Sequence, residues 1–100
     1  MAFVFEWDAA KAASNVAKHG ISFHEAITVF GDPLSSTFPD PEHSLTEQRF
    51  VIFGVSNRGR LLAVLYAERR RAGPNVEVIR IISARDATRS ERIAYEEGSE

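Results

Sequence analysis

The sequence predicts an α+β fold in which helices pack on an antiparallel sheet. Three observations carry this reading. A short alternating stretch from Phe3 to Trp7 precedes two helix-like segments. Three strand-like runs then follow closely, separated by turn residues. A last helical pattern ends at Gly98. Strands and helices grouped in this way, rather than alternating as βαβ units, indicate segregated layers. With 100 residues the chain suffices for one modest core without covalent staples. Residues 1–98 are therefore read as a single domain.

The elements follow in order. "FVFEW" (3–7) alternates Phe3, Phe5 and Trp7 against Val4 and Glu6, as a strand does. Asp8 stands at a helix N-cap position, and "AAKAASNVAKHG" follows as a helix ended by Gly20. Ala9, Ala12, Ala13 and Val16 form its apolar stripe; Lys11, Asn15 and Lys18 share another face. In "SFHEAITVF", Ser22 precedes Glu25 by three residues, a capping-box pattern. Phe23, Ala26, Ile27 and Phe30 give that short helix one apolar face, and "GDP" (31–33) stops it. Residues 31–48 hold three of the four prolines and read as loop, with a short strand near 36–38. "RFVIFGVS" (49–56) and "RLLAVLYAE" (60–68) are strands joined by a tight Asn57–Arg58–Gly59 hairpin. "RRRAGPN" (69–75) reads as a connector, "VEVIRIIS" (76–83) as the last strand and "DATRSERIAYEEG" (86–98) as the terminal helix. The expected architecture is an antiparallel sheet of about four strands with two N-terminal helices and one C-terminal helix.

Composition excludes several functions. There is no cysteine, hence no disulfide or thiolate metal site, which suits a cytoplasmic protein. The first residues lack the basic and apolar regions of a signal peptide, and no apolar run approaches the roughly 20 residues needed to cross a bilayer. His19, His24 and His43 do not form a metal-ligand spacing. No phosphate-binding glycine loop, nucleophile elbow or dinucleotide fingerprint is present, so neither metal nor cofactor is expected.

Charge is the informative feature. Residues 1–48 hold two lysines against seven acids, whereas residues 49–92 hold ten arginines against four. Arginine's planar fork suits phosphate and carboxylate. The junction "RIISARDATRSER" (80–92) collects four of the ten. Strict strand alternation puts Arg80, Ile82 and Ala84 on one face and Ile81, Ser83 and Arg85 on the other. Arg85, Arg89 and Arg92 fall four and three residues apart, along one side of the following helix. Arg80, Arg85 and Arg89 are expected to converge near the sheet edge. Lys18 and His19 end the first helix, where cations suit its dipole.

"FEWDAAKAASNVAKHGISFHEAITVFGDP", "EQRF", "GVSNRGRLLAVLYAERR" and "IRIISARDATRSERIAY" together resemble the BrnT family of bacterial type II toxins, from about Phe5 to Tyr95. The resemblance implies a RelE-like fold, a ribonuclease that arrests translation, and a cognate BrnA-like antitoxin with a ribbon-helix-helix segment. It also implies a heterotetramer of two toxins and two antitoxins, with operator DNA bound only through the antitoxin. RNA cleavage by its own 2′-hydroxyl requires a base, cations for the phosphorane and an acid for the leaving oxygen. Arg80 and Arg85 are the candidates for the phosphate. Lys18 or His19 is the proton-transfer or phosphate-binding group. Lys11, Arg49, Arg69 and Arg89 are further RNA contacts, and Tyr66 and Tyr95 are candidate proton donors. The alternative is a non-catalytic module whose basic patch docks an acidic partner or nucleic acid.

Overall fold

The computed structural model describes residues 2–41 and 47–98; His43 lies outside them. The chain runs β1 (Ala2–Trp7), α1 (Ala9–His19), α2 (Phe23–Ile27), a 3-10 turn (Thr28–Gly31), β2 (Ser36–Pro39), β3 (Arg49–Val55), β4 (Leu61–Gly73), β5 (Val76–Asp86) and α3 (Arg89–Glu97). The α+β class holds. The sheet departs from the expected four antiparallel strands: among the described residues it has five, in the order β1-β5-β4-β3-β2. It is also mixed, because β1 pairs parallel with β5 while the other pairs are antiparallel. Alternation reveals which face a strand buries but not its direction, so the parallel seam left no mark in the sequence.

Three boundaries also differ. β4 continues through the arginine run to Gly73, where a connector was expected. α3 starts at Arg89 rather than residue 86, because Thr88 caps it and Asp86 still belongs to β5. The second N-terminal helix is only five residues long and tightens into the 3-10 turn. That turn lies against β3 at Gly54, where a Cβ atom would come within 2.8 Å of Val29 Cγ1. Only glycine admits so close an approach.

One face of the sheet carries the core. Ile21, Phe23, Ala26 and Val29 from the helical layer meet Ile52, Leu62, Val64, Tyr66, Ile79, Ile81 and Ala84 from the strands. Phe5, Trp7, Phe30 and Phe50 extend it. Of the apolar stripe expected of α1, only Ala12 packs against the core. Ala9 and Ala13 are exposed and Val16 is 49% exposed, whereas Asn15 is buried at 5%. The helix is turned to bring this amide to β5.

β1 ends opposite Ile81, so among the described residues the outer edge of β5 beyond that point has no strand beside it. Asn15 takes the strand's place. Its Oδ1 accepts from Ala84 N–H at 3.1 Å, and its Nδ2 donates to the carbonyls of Ala84 (2.8 Å) and Ile21 (2.9 Å). At the same level β5 contains a bulge: Ile81 faces Tyr66 and Ser83 faces Leu65, leaving Ile82 without an opposite residue. The extra residue reverses the alternation. Ile79, Ile81 and Ala84 consequently share the core face, and Arg80, Ser83 and Arg85 share the other. This corrects the expected split of Arg80 from Arg85.

Asn15→Ala is expected to leave three buried backbone groups unpaired and to destabilise the fold by about 3 kcal/mol. Asn15→Asp, which has no N–H to give the two carbonyls, should fare no better. Urea denaturation midpoints check both.

Candidate nucleic-acid interface

The face opposite the core is ordered in rows by strand register. Ser36, Phe53, Ala63 and Arg85 form one row across β2, β3, β4 and β5. Phe38, Val51, Leu65 and Ser83 form the next. Arg49, Ala67, Arg80 and Glu6 form the third, which reaches β1. Small residues on β4 leave the middle of the face low. Asp40, Val51, Ala63, Leu65, Ser83 and Arg85 there line a hollow of about 180 Å³.

Arg80 and Arg85 stand two rows apart, about 13 Å by strand rise. They are separate anchor points rather than one convergent group. Arg85 is held by α3: its Nη1 and Nη2 donate to Glu91 Oε1 and Oε2 at 2.8 and 3.0 Å, and Nη1 also donates to the Asp86 carbonyl. Glu91 is itself fixed by the capping box with Thr88. The Arg85 guanidinium pulls the Glu91 carboxyl down to about 2. Arg80 makes no hydrogen bond or ion pair among the described residues; its charge instead helps lower Asp8, after the Lys11 backbone N–H that Asp8 caps. Arg69 lies 3.9 Å from Glu6 and 3.6 Å from Glu47, and Arg49 lies 3.6 Å from Glu47. Arg89 begins α3 and is exposed, apart from the Arg85–Glu91 pair.

The cations of α1 reach this face over the edge of β5. Lys11, Ser14, Asn15, Lys18 and His19 face Ile82 and Ser83 across a cleft of about 230 Å³. Ser83 lines both the cleft and the central hollow, so the two adjoin. The tyrosines lie apart. Tyr66 is on the core face, stacked with Phe50 at 5.5 Å, where burial pushes its phenol up. Tyr95 donates to Asp32 Oδ2 at 2.6 Å, and burial together with that carboxylate pushes it up to about 12. Burial alone would raise Asp32, but the Tyr95 hydroxyl and the N–H groups of Val55 and Leu34 outweigh it and hold its carboxyl low.

Sequence reasoning did not single out Ser83, Asn15, Asp32 or Glu91 for these roles. Two carried a signal. Thr88 three residues before Glu91 is a capping-box pattern, and Asn15 is a poor helix former in a helix interior. Ser83 and Asp32 carried none, since their positions depend on the bulge and on α3.

A sequence profile described as the ribonuclease toxin BrnT of type II toxin–antitoxin systems matches residues 7–91. The chain belongs to the BrnT family. A crystal structure of the Brucella abortus ribonuclease toxin BrnT superposes with a TM-score of 0.60 at 24% identity, over 89% of this chain and all of that one. At that identity the likeness concerns the fold. No curated protein matches the sequence. Membership of a type II toxin family implies an antitoxin partner. No helix among the described residues is long and apolar enough to cross a membrane.

The Arg85–Glu91 pair generates a pH prediction. Glu91 is depressed in the folded state, so its contribution is present above the ordinary carboxylate value of 4.5 and is lost as pH falls towards about 2. Arg85 is 41% exposed in its side chain, so solvent screening reduces the effect to roughly 1 kcal/mol. Glu91→Gln should lower stability by that amount at pH 7 and narrow the gap to wild type near pH 2. Thermal melts across this range provide the measurement.

Proposed function

We propose that this BrnT-family protein is a metal-independent endoribonuclease that cleaves RNA in the cytoplasm and so inhibits translation. The observation that carries the reading is the common face of Arg80, Ser83 and Arg85, on a chain that matches the BrnT profile. RNA enters along the rows, with its backbone over Ser83. Of the five N–H groups of Arg85, Glu91 and the Asp86 carbonyl take three, and Nε–H and one Nη2–H remain for a phosphate. Glu91 thereby fixes the direction of the free pair before charge develops on the phosphorane. Arg80, with no hydrogen-bond or ion-pair partner among the described residues, is the second anchor. Lys18 or His19, across the cleft from Ser83, exchanges the proton of the 2′-hydroxyl or of the leaving 5′-oxygen, and Lys11 steadies the strand. Arg49, Arg69 and Arg89 serve as outlying phosphate contacts. Tyr66, on the core face, takes no part in this pathway, and Tyr95 supports α3.

The antitoxin in this reading carries a ribbon-helix-helix segment and forms a complex of two toxins with two antitoxins. Its acidic side chains compete for the arginine rows and speed association. The second reading, a binding module without catalysis, is favoured by one observation: Glu91 already neutralises much of Arg85.

Expression without the antitoxin should slow growth and protein synthesis, and co-expression should restore both. Arg80→Ala or Arg85→Ala should lower single-turnover RNA cleavage by about 10²–10³-fold, with circular dichroism unchanged. Arg58→Ala, in the hairpin turn, should do little. Equal small losses in all three variants would favour the binding module.

A further inference from the structure

One part of the sheet face is apolar, and the arginine chemistry does not use it. Phe38 is 54% exposed, and its ring meets Phe53 edge to face at 5.9 Å and 63°. The two rings, with Ser36, Glu91, Ala94 and Tyr95, border a hollow of about 260 Å³ between β2, β3 and α3. That is below the ~300–1,000 Å³ of pockets for drug-sized ligands and is on the scale of one planar ring system.

Its position selects the occupant. Phe53 lies in the same register row as Arg85, two strands away, or about 10 Å. Phe38 lies in the row of Ser83. Glu91 joins the two places directly, because it grips Arg85 and lines the hollow. A strand whose phosphate sits at Arg85 therefore carries a neighbouring base to the aromatic pair. Unstacked bases are held on sheet aromatics through their π-faces and read at their edges. The Ser36 hydroxyl and Glu91 carboxylate supply polar atoms at the rim for such an edge.

We infer that Phe38 and Phe53 form a nucleobase-stacking subsite for single-stranded RNA, beside the phosphate held at Arg85. The inference rests on the ribonuclease reading and assigns that site its base-contacting residues. Phe38 projects from an edge strand, so its replacement tests contact rather than folding.

The test uses a fully 2′-O-methylated RNA hexamer of mixed sequence, which binds but lacks the attacking hydroxyl, and fluorescence anisotropy. Phe38→Ala should raise the Kd about 5- to 100-fold, and Phe38→Trp should restore it. Removing the base at one position of the hexamer should weaken wild type by the same factor and cost Phe38→Ala nothing further. Leu34→Ala, at an exposed apolar residue outside the hollow, should bind as wild type. Several outcomes would overturn the subsite while wild type still cleaves RNA: unchanged binding by Phe38→Ala, no position-specific effect of base removal, or no binding of the hexamer. Loss of antitoxin binding by Phe38→Ala with hexamer binding intact would make the patch a protein-docking surface. If wild type neither cleaves RNA nor binds the hexamer, the ribonuclease reading falls and the subsite with it.

Discussion

The two-point hydrogen bond between Asn15 and the backbone of Ala84 is the constraint on which the rest depends. β5 loses its parallel neighbour after Ile81, and a buried strand edge without partners is expensive. A side-chain amide offers one donor group and one acceptor, which is what a neighbouring strand would offer there. The same Nδ2 also reaches Ile21, so one residue ties α1, the turn at Gly20 and β5 together. Two consequences reach the functional face. The bulge at Ile82 sits where edge support passes from β1 to Asn15, and it turns Arg80 and Arg85 to the same side. α1 is also set against the edge of β5, which brings Lys11, Lys18 and His19 beside Ser83. A helix docked through its alanine stripe would present a different side to β5.

α3 is attached by a different principle. None of its residues is buried, so apolar burial contributes little to its docking. It is held by Tyr95 on Asp32 at one end and Glu91 on Arg85 at the other. Both anchors have other duties. Asp32 also secures the backbone of Leu34 and Val55, where the chain enters β2 and leaves β3. Glu91 also caps α3. On the opposite side, buried Glu25 accepts from Arg60 and Ser56 and pins α2 to the β3–β4 turn. Such a buried pair is weak evidence for stability in itself, because desolvation opposes it, but removing one partner strands a charge. These polar contacts fix where elements lie, while the shared aliphatic core supplies the driving force.

Legibility in the sequence followed the range of each interaction. The caps at Asp8 and Ser22, the Gly20 stop and the 57–59 hairpin were readable because each is settled within a few residues. The alternation of Phe3, Phe5 and Trp7 gave the face of β1 but could not give its neighbour. The face of α1 was misread because the alanine pattern is strong and Asn15 has its reason 69 residues away, in Ala84. The arginines were found by type alone, and their grouping was not, since one unpaired residue in β5 reverses the parity that sequence spacing assumes. Glu91 was not read as a positioning residue, although its capping-box spacing was visible, because its second partner, Arg85, lies across the strand–helix junction.

The same arrangement resolves the contradiction between a chain that is acidic overall and a local excess of arginine. Three of the acids stand beside arginines of this face. Glu6 and Glu47 lie against Arg69, Glu47 against Arg49, and Glu91 against Arg85, all on or beside the sheet face. The ten-arginine stretch therefore presents less open charge on this face than its composition suggests, while Arg58, Arg89, Arg92 and the α1 lysines are exposed cations outside these pairs and Arg80 is half-buried. A face of this kind has a weak long-range field for a polyanion and a small counterion-release contribution. Discrimination must then come from short-range contacts whose geometry is already fixed. Arg85, with two donors directed by Glu91, is such a contact, and a ring face at Phe38 is another. Pairing Arg49, Arg69 and Arg85 with carboxylates thus weakens indiscriminate attraction on this face and leaves orientation to decide what remains bound.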